Sequence, residues 1–165
     1  LQKFLLSITV AALVFAPCAA QAQTTPISMY GVGPHGFDWA VGTWSCTSKS
    51  HVARATLKVT RTSGGPIFYR SSGENFDNSW YAVYMPKTKT WVSPFIVDDG
   101  SYGTESTTQT GKKIVWTGTA YFADSGKTLP VRDTNVNGLN TYADLGEVRS
   151  GGTWKTEYSV SCTRA

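Results

Sequence analysis

Four side chains have the chemistry to hold a small molecule: Trp116, Trp154 and Tyr158 as aromatic walls, and Arg132 as a polar handle for a carboxylate or a phenol-like group. A guanidinium inside a protein needs a partner, so Arg132 reads either as half of an internal ion pair with Asp144 or Glu147, or as an anion-capturing group in a cavity. The stretches 101–109, 128–136 and 141–149 place hydrophilic residues at both alternating positions, with Tyr102, Thr104, Ser106, Thr134, Tyr142 and Asp144 as candidate interior groups. A solidly packed interior would leave one face apolar throughout. These stretches instead predict an interior completed by water, by an internal ion pair or by a ligand, because each unpaired buried polar group costs roughly 1–3 kcal/mol.

Other chemistries lack their residues. There is no Gly-x-Ser-x-Gly elbow, no His-Glu-x-x-His, no phosphate-binding glycine loop and no Cys/His cluster, so no catalytic residue and no metal ligand is assigned. His35 in Gly33-Pro34-His35-Gly36 and His51 among polar neighbours read as structural or solvated. Asp98-Asp99-Gly100 reads as a turn before it reads as a calcium site. The basic residues are scattered at strand ends and turns without a dense run, which argues against nucleic acid as a partner.

Turn signals about every ten residues, with apolar residues alternating between them, predict the scaffold: an all-β antiparallel meander with strands at roughly 43–50, 53–62, 67–74, 80–85, 90–97, 101–109, 113–122, 128–136, 141–149 and 153–163. An even number of strands lets the first and last meet antiparallel, so the expected fold is a single closed up-and-down barrel of about ten strands. By strict alternation Trp154, Tyr158, Val160, Cys162 and Arg164 share the inner face of the last strand, and Ile114, Trp116, Gly118 and Ala120 that of the seventh. The strands at 80–85 and 90–97 are apolar on both faces, and the arm that precedes the barrel is expected to cover the outer one.

Residues 1–22 read as a secretory signal, with Lys3, an apolar run from Phe4 to Phe15 and the cleavage motif Ala20-Gln21-Ala22. Cleavage leaves an extended arm at 23–36, a barrel domain at 37–165, no further apolar run long enough to span a bilayer, and a soluble periplasmic or secreted protein. Cys46 and Cys162 are then an even pair in an exported chain, and a disulfide is the expected outcome. The register that places them opposite each other also places Trp44 opposite Arg164.

A Gly-x-Trp at Gly42–Trp44 with an arginine at the end of the last strand resembles the calycin, or lipocalin-like, barrels. That resemblance implies a clasp in which Arg164 packs across Trp44 at a closed end. Phe37-Asp38-Trp39-Ala40-Val41-Gly42-Thr43-Trp44, the Tyr84-x-Pro86-x-Thr88-x-x-Trp91 hairpin, Gly126-Lys127 leading to Arg132-Asp133, and Gly152-x-Trp154-Lys155 look like a bacterial family of unknown function with lipocalin-like barrels related to the nitrobindins. Nitrobindins hold haem through a histidine late in the chain; no histidine follows His51 here, so no cofactor is implied. The expected function is binding of a mainly apolar, or carboxylate-bearing, small molecule in the barrel. A filled barrel that docks an envelope partner, and a lyase or isomerase using a tyrosine, an arginine and a carboxylate, are the alternatives.

Overall fold

The computed structural model describes residues 31, 33–49, 54–63, 65–73 and 77–165. Residues 1–22, expected as a signal segment, most of the expected arm and His51 lie outside the described residues. Ten strands follow one another: β1 (Gly42–Ser48), β2 (Arg54–Arg61), β3 (Ile67–Gly73), β4 (Asp77–Met85), β5 (Thr90–Val97), β6 (Tyr102–Thr107), β7 (Lys113–Phe122), β8 (Lys127–Asn137), β9 (Thr141–Ser150) and β10 (Thr153–Arg164). Each pairs antiparallel with its neighbour in sequence, and β1 pairs with β10, which closes the barrel and leaves no edge strand. This architecture is consistent with a lipocalin-like fold. Tight connections suit it: between β9 and β10, Gly151 and Gly152 take φ values of +59° and +82°, the left-handed backbone that a two-residue hairpin turn requires.

The closing seam has the expected register, with Trp44 opposite Arg164 and Cys46 opposite Cys162. The Cys46–Cys162 disulfide joins Cα atoms only 4.0 Å apart, closer than the roughly 4.4–6.8 Å usual for such bonds. The Ala165 N–H donates to the Thr43 carbonyl and the Lys49 N–H to that of Ser159, so the odd-numbered pairs of this seam are the hydrogen-bonded ones. Cys46 and Cys162 therefore form a non-hydrogen-bonded pair, where facing strands approach most closely.

One end of the barrel is plugged by a 3-10 turn, Asp38–Ala40, that follows a first such turn at Gly33–His35. The described end of the predicted extended arm is thus folded, and it sits at the plugged end near Tyr84, Trp91 and Thr110 rather than on the outer wall. Phe37 enters the barrel edge-on to Trp91 at 4.7 Å and against Trp116 at 5.3 Å. Arg164 holds the plug: its guanidinium lies 4.3 Å over the Trp44 ring and donates to the carbonyls of Val41 at 3.0 Å and Trp39 at 2.6 Å. Trp44 adds a third tie, from its indole N–H to the Ala40 carbonyl at 2.9 Å. The main apolar core, including Trp44, Leu57, Val59, Ile67, Trp91 and Ile114, sits at this end, and a smaller one around Ala120, Val131 and Val148 sits apart from it.

Inward assignments fail on three strands, β6, β8 and β10. A β-bulge between Thr156 and Tyr158 adds one residue to β10, with Thr156 opposite Glu147 and Tyr158 opposite Gly146. The extra residue reverses the alternation, so Trp154 stands on the outer wall while Tyr158, Val160 and Cys162 point in. On β6 and β8 the inner face is the opposite of the expected one. Glu105 opposes Gly118, and Asp133 opposes the buried Trp116, which leaves Tyr102, Thr104, Ser106, Arg132 and Thr134 outside. The outer wall is largely polar, as with Thr56, Lys58 and Thr60 on β2, unlike the apolar band of a lipid-facing barrel. Tyr81, Met85 and Ile96 of β4 and β5 are exposed on that wall. Among the described residues no helix is long and apolar enough to cross a membrane.

Candidate functional site

Between the two apolar clusters the lumen is acidic. The register aligns Trp116, Asp133, Gly146 and Tyr158 across β7, β8, β9 and β10, and Ile114, Asn135, Asp144 and Val160 across the same strands. Glu105 faces the same space from β6, opposite Gly118. Glycine is required in the first row: a methyl at position 146 would land in the Tyr158 ring. Without that methyl the ring lies flat across β9, and its hydroxyl reaches β8 to donate to Asp133 Oδ2 at 2.6 Å.

The second row fixes its own geometry. Trp116 Nε1 donates to Asn135 Oδ1 at 2.7 Å, which orients the amide so that Nδ2 donates to Asp144 Oδ1 at 2.7 Å. The Tyr142 hydroxyl donates to Asp144 Oδ2 at 3.1 Å, and the Tyr158 hydroxyl lies 3.4 Å from the same oxygen. Tyr69 and Trp80 stack in parallel at 5.1 Å and contribute an aromatic wall from β3 and β4.

Among the described residues no cation forms an ion pair with these three carboxyl groups; the salt bridges there join Asp38, Asp77 and Glu147 to partners elsewhere. Burial and mutual repulsion therefore favour their neutral forms. Burial, then Asp133 and Asp144, push the Glu105 carboxyl up to about 9. Asp133 is raised by burial against the opposing hydrogen bonds of Tyr158 and Glu105. Asp144 is raised well above the carboxylate range by burial and then by Asp133. Tyr142 and Tyr158 are raised by burial and then by Asp144, so both hydroxyls stay protonated donors. Glu105 is 5% exposed, and its Oε1 has no hydrogen-bond partner among the described residues.

Asp144, Tyr142 and Tyr158 stand on the inner face and are each half-buried. Two shallow depressions, of about 320 and 550 Å³, open to solvent; Glu105 lines the second beside Thr104, Ser106, Thr117 and Thr119, and neither includes Asp133 or Asp144. Among the described residues no three His, Cys, Asp or Glu side chains converge as metal ligands.

Of the four residues singled out from the sequence, Trp116 and Tyr158 meet in this lumen, and Arg132 and Trp154 do not. Arg132 lies on the outer wall, 4.5 Å over the Trp154 ring, with Nε and Nη2 bonded to Glu147 Oε2 at 2.9 and 2.7 Å. It is an external ion pair with one of its two expected partners, and no handle for a ligand inside. Asp144 and Tyr142 are interior, as expected; Glu105, Asp133 and Asn135 were missed. The β7–β8 turn at Asp124-Ser125-Gly126-Lys127 held the signal, because once Trp116 points inward a tight hairpin there forces Asp133 inward with it. No family model and no curated protein matches this chain.

Proposed function

We propose that this chain is an exported small-molecule-binding protein, periplasmic or secreted, whose site is the acidic, tyrosine-lined belt inside the barrel. The observation that supports it best is Glu105: a carboxyl 5% exposed, lumen-facing, with one oxygen lacking any partner among the described residues. Apolar side chains in that position would make a more stable barrel, since a buried polar atom left unpaired costs roughly 1–3 kcal/mol. A ligand that donates to Oε1 removes that cost. The disulfide suits an oxidising compartment, and mass spectrometry of exported protein should find an N-terminus at Gln23; a lipid on Cys18 would overturn the soluble assignment.

Titration with the neutral apolar dye N-phenylnaphthylamine tests the lumen directly. Saturable enhancement is expected, unchanged by Arg132→Ala on the outer wall and reduced by Ser93→Phe, which narrows the space opposite Glu105. Failure of the dye to enter wild-type protein would favour the filled barrel. The lyase or isomerase reading keeps a tyrosine–carboxyl pair in Tyr158 and Asp133, but it loses its arginine clamp to the outer wall.

A further inference from the structure

We infer that the lumen takes a small organic cation, an amine with an aromatic or apolar body, with Glu105, Asp133 and Asp144 as its counter-charge and Tyr158, Tyr142, Trp116 and the Tyr69–Trp80 stack as its walls. This rests on the lumen being the ligand site. The argument is one of complementarity. Three carboxyl groups from β6, β8 and β9 face the barrel interior, and the polar groups that touch Asp133 and Asp144 are two tyrosines, an asparagine and, at Asp133, the Glu105 carboxyl, with no cation among them. An ammonium group supplies what the protein withholds, a positive charge with several N–H donors, one of which can satisfy Glu105 Oε1. Aromatic faces around the site attract the same cation. An anion would meet three acids and no base.

The charged and titratable groups around this space can be named strand by strand. β6 offers Glu105, β8 Asp133, β9 Tyr142 and Asp144, β10 Tyr158 and β3 Tyr69. The inward faces of β4, β5 and β7 present Asn78, Trp80, Ser93, Phe95, Ile114 and Trp116, none of which titrates, and Tyr84, which packs on Trp91 at the plugged end. Arg61 acts on Tyr69 and on none of the carboxyls. Lys127 and Lys155, in register with inward Phe122 and Val148, are exposed. Binding a cation must therefore ionise carboxyls that burial keeps protonated, and it should release protons.

The test uses three probes with one skeleton: phenethylamine, phenethyl alcohol and phenylacetate, titrated calorimetrically into the full mature chain. The amine is expected to bind about tenfold or more tighter than the alcohol, the size of one charge-assisted hydrogen bond, with the acetate weakest. Its affinity should rise between pH 6 and 8, by up to about tenfold per pH unit for each proton released, and buffers of different ionisation heat should report that release. Glu105→Gln keeps the shape, so alcohol binding should persist while the amine's advantage largely disappears. Equal binding of amine and alcohol, preference for the acetate, or amine binding without proton release would overturn the inference. If N-phenylnaphthylamine still enters in that case, the lumen remains the site and only the cation is wrong. If neither dye nor any of the three probes binds, the lumen reading fails as well.

Discussion

Replacing Glu105 by glutamine should change how stability depends on pH, and the size of the change follows from the site. The carboxyl sits at its ordinary value near 4.5 when unfolded and is pushed up to about 9 in the barrel, by burial first and then by Asp133 and Asp144. A group raised on folding contributes stability that is fully present below its unfolded pKa and is lost as pH rises through the folded one. Between those limits the folded state holds a proton that the unfolded state has released, so stability should fall by about 1.4 kcal/mol per pH unit from Glu105 alone, an upper figure for a coupled group. Asp133 and Asp144, raised for the same reason, act with the same sign. Asp77, lowered by its hydrogen bond to Arg70, acts only at more acidic pH. Urea denaturation at pH 5.5, 6.5 and 7.5 should show wild-type stability declining with pH, and Glu105→Gln declining by about 1 kcal/mol less per unit. A wild-type profile that is flat or rising over this window, or a variant with the wild-type slope, would refute the assignment of Glu105 as a protonated, lumen-facing acid.

Gly146→Ala should destabilise the barrel by about 1–3 kcal/mol, because the added methyl and the Tyr158 ring claim the same space; urea denaturation measures it, and a wild-type midpoint would contradict the cross-strand contact to Asp133. Arg164→Ala should lose about 2–3 kcal/mol through the cation–aromatic contact and two hydrogen bonds to the plug, with Arg164→Lys intermediate. Wild-type melting temperatures for both would remove the clasp from any structural role. Reduction of Cys46–Cys162, which are 116 residues apart in sequence, should lower stability by up to about 4–5 kcal/mol, read as the shift of the urea midpoint with and without reductant.

The sequence by itself determined the seam. Two cysteines, a Gly-x-Trp and a final arginine specify one antiparallel register, because only one pairing satisfies both Cys46 with Cys162 and Trp44 with Arg164. Hairpin turns set the strand count, and strand ends fell within a few residues because glycine, proline and aspartate mark where the ladder must stop. Alternation also placed Leu57, Val59, Ile114 and Trp116 inside, since on those strands one face is apolar and the other is not. On β6 and β8 both faces are polar, so local pattern carries no sign. Packing decided there, through hairpin registers anchored by Trp116 and Gly118, and it turned Glu105 and Asp133 in and Arg132 out. A single added residue at the β10 bulge did the same to Trp154, and nothing in Thr156-Glu157-Tyr158 marks it. The acidic belt exists only after closure: its three carboxyl groups come from three strands, spaced 28 and 11 residues apart in sequence, and meet because a closed barrel points every inner face at one axis.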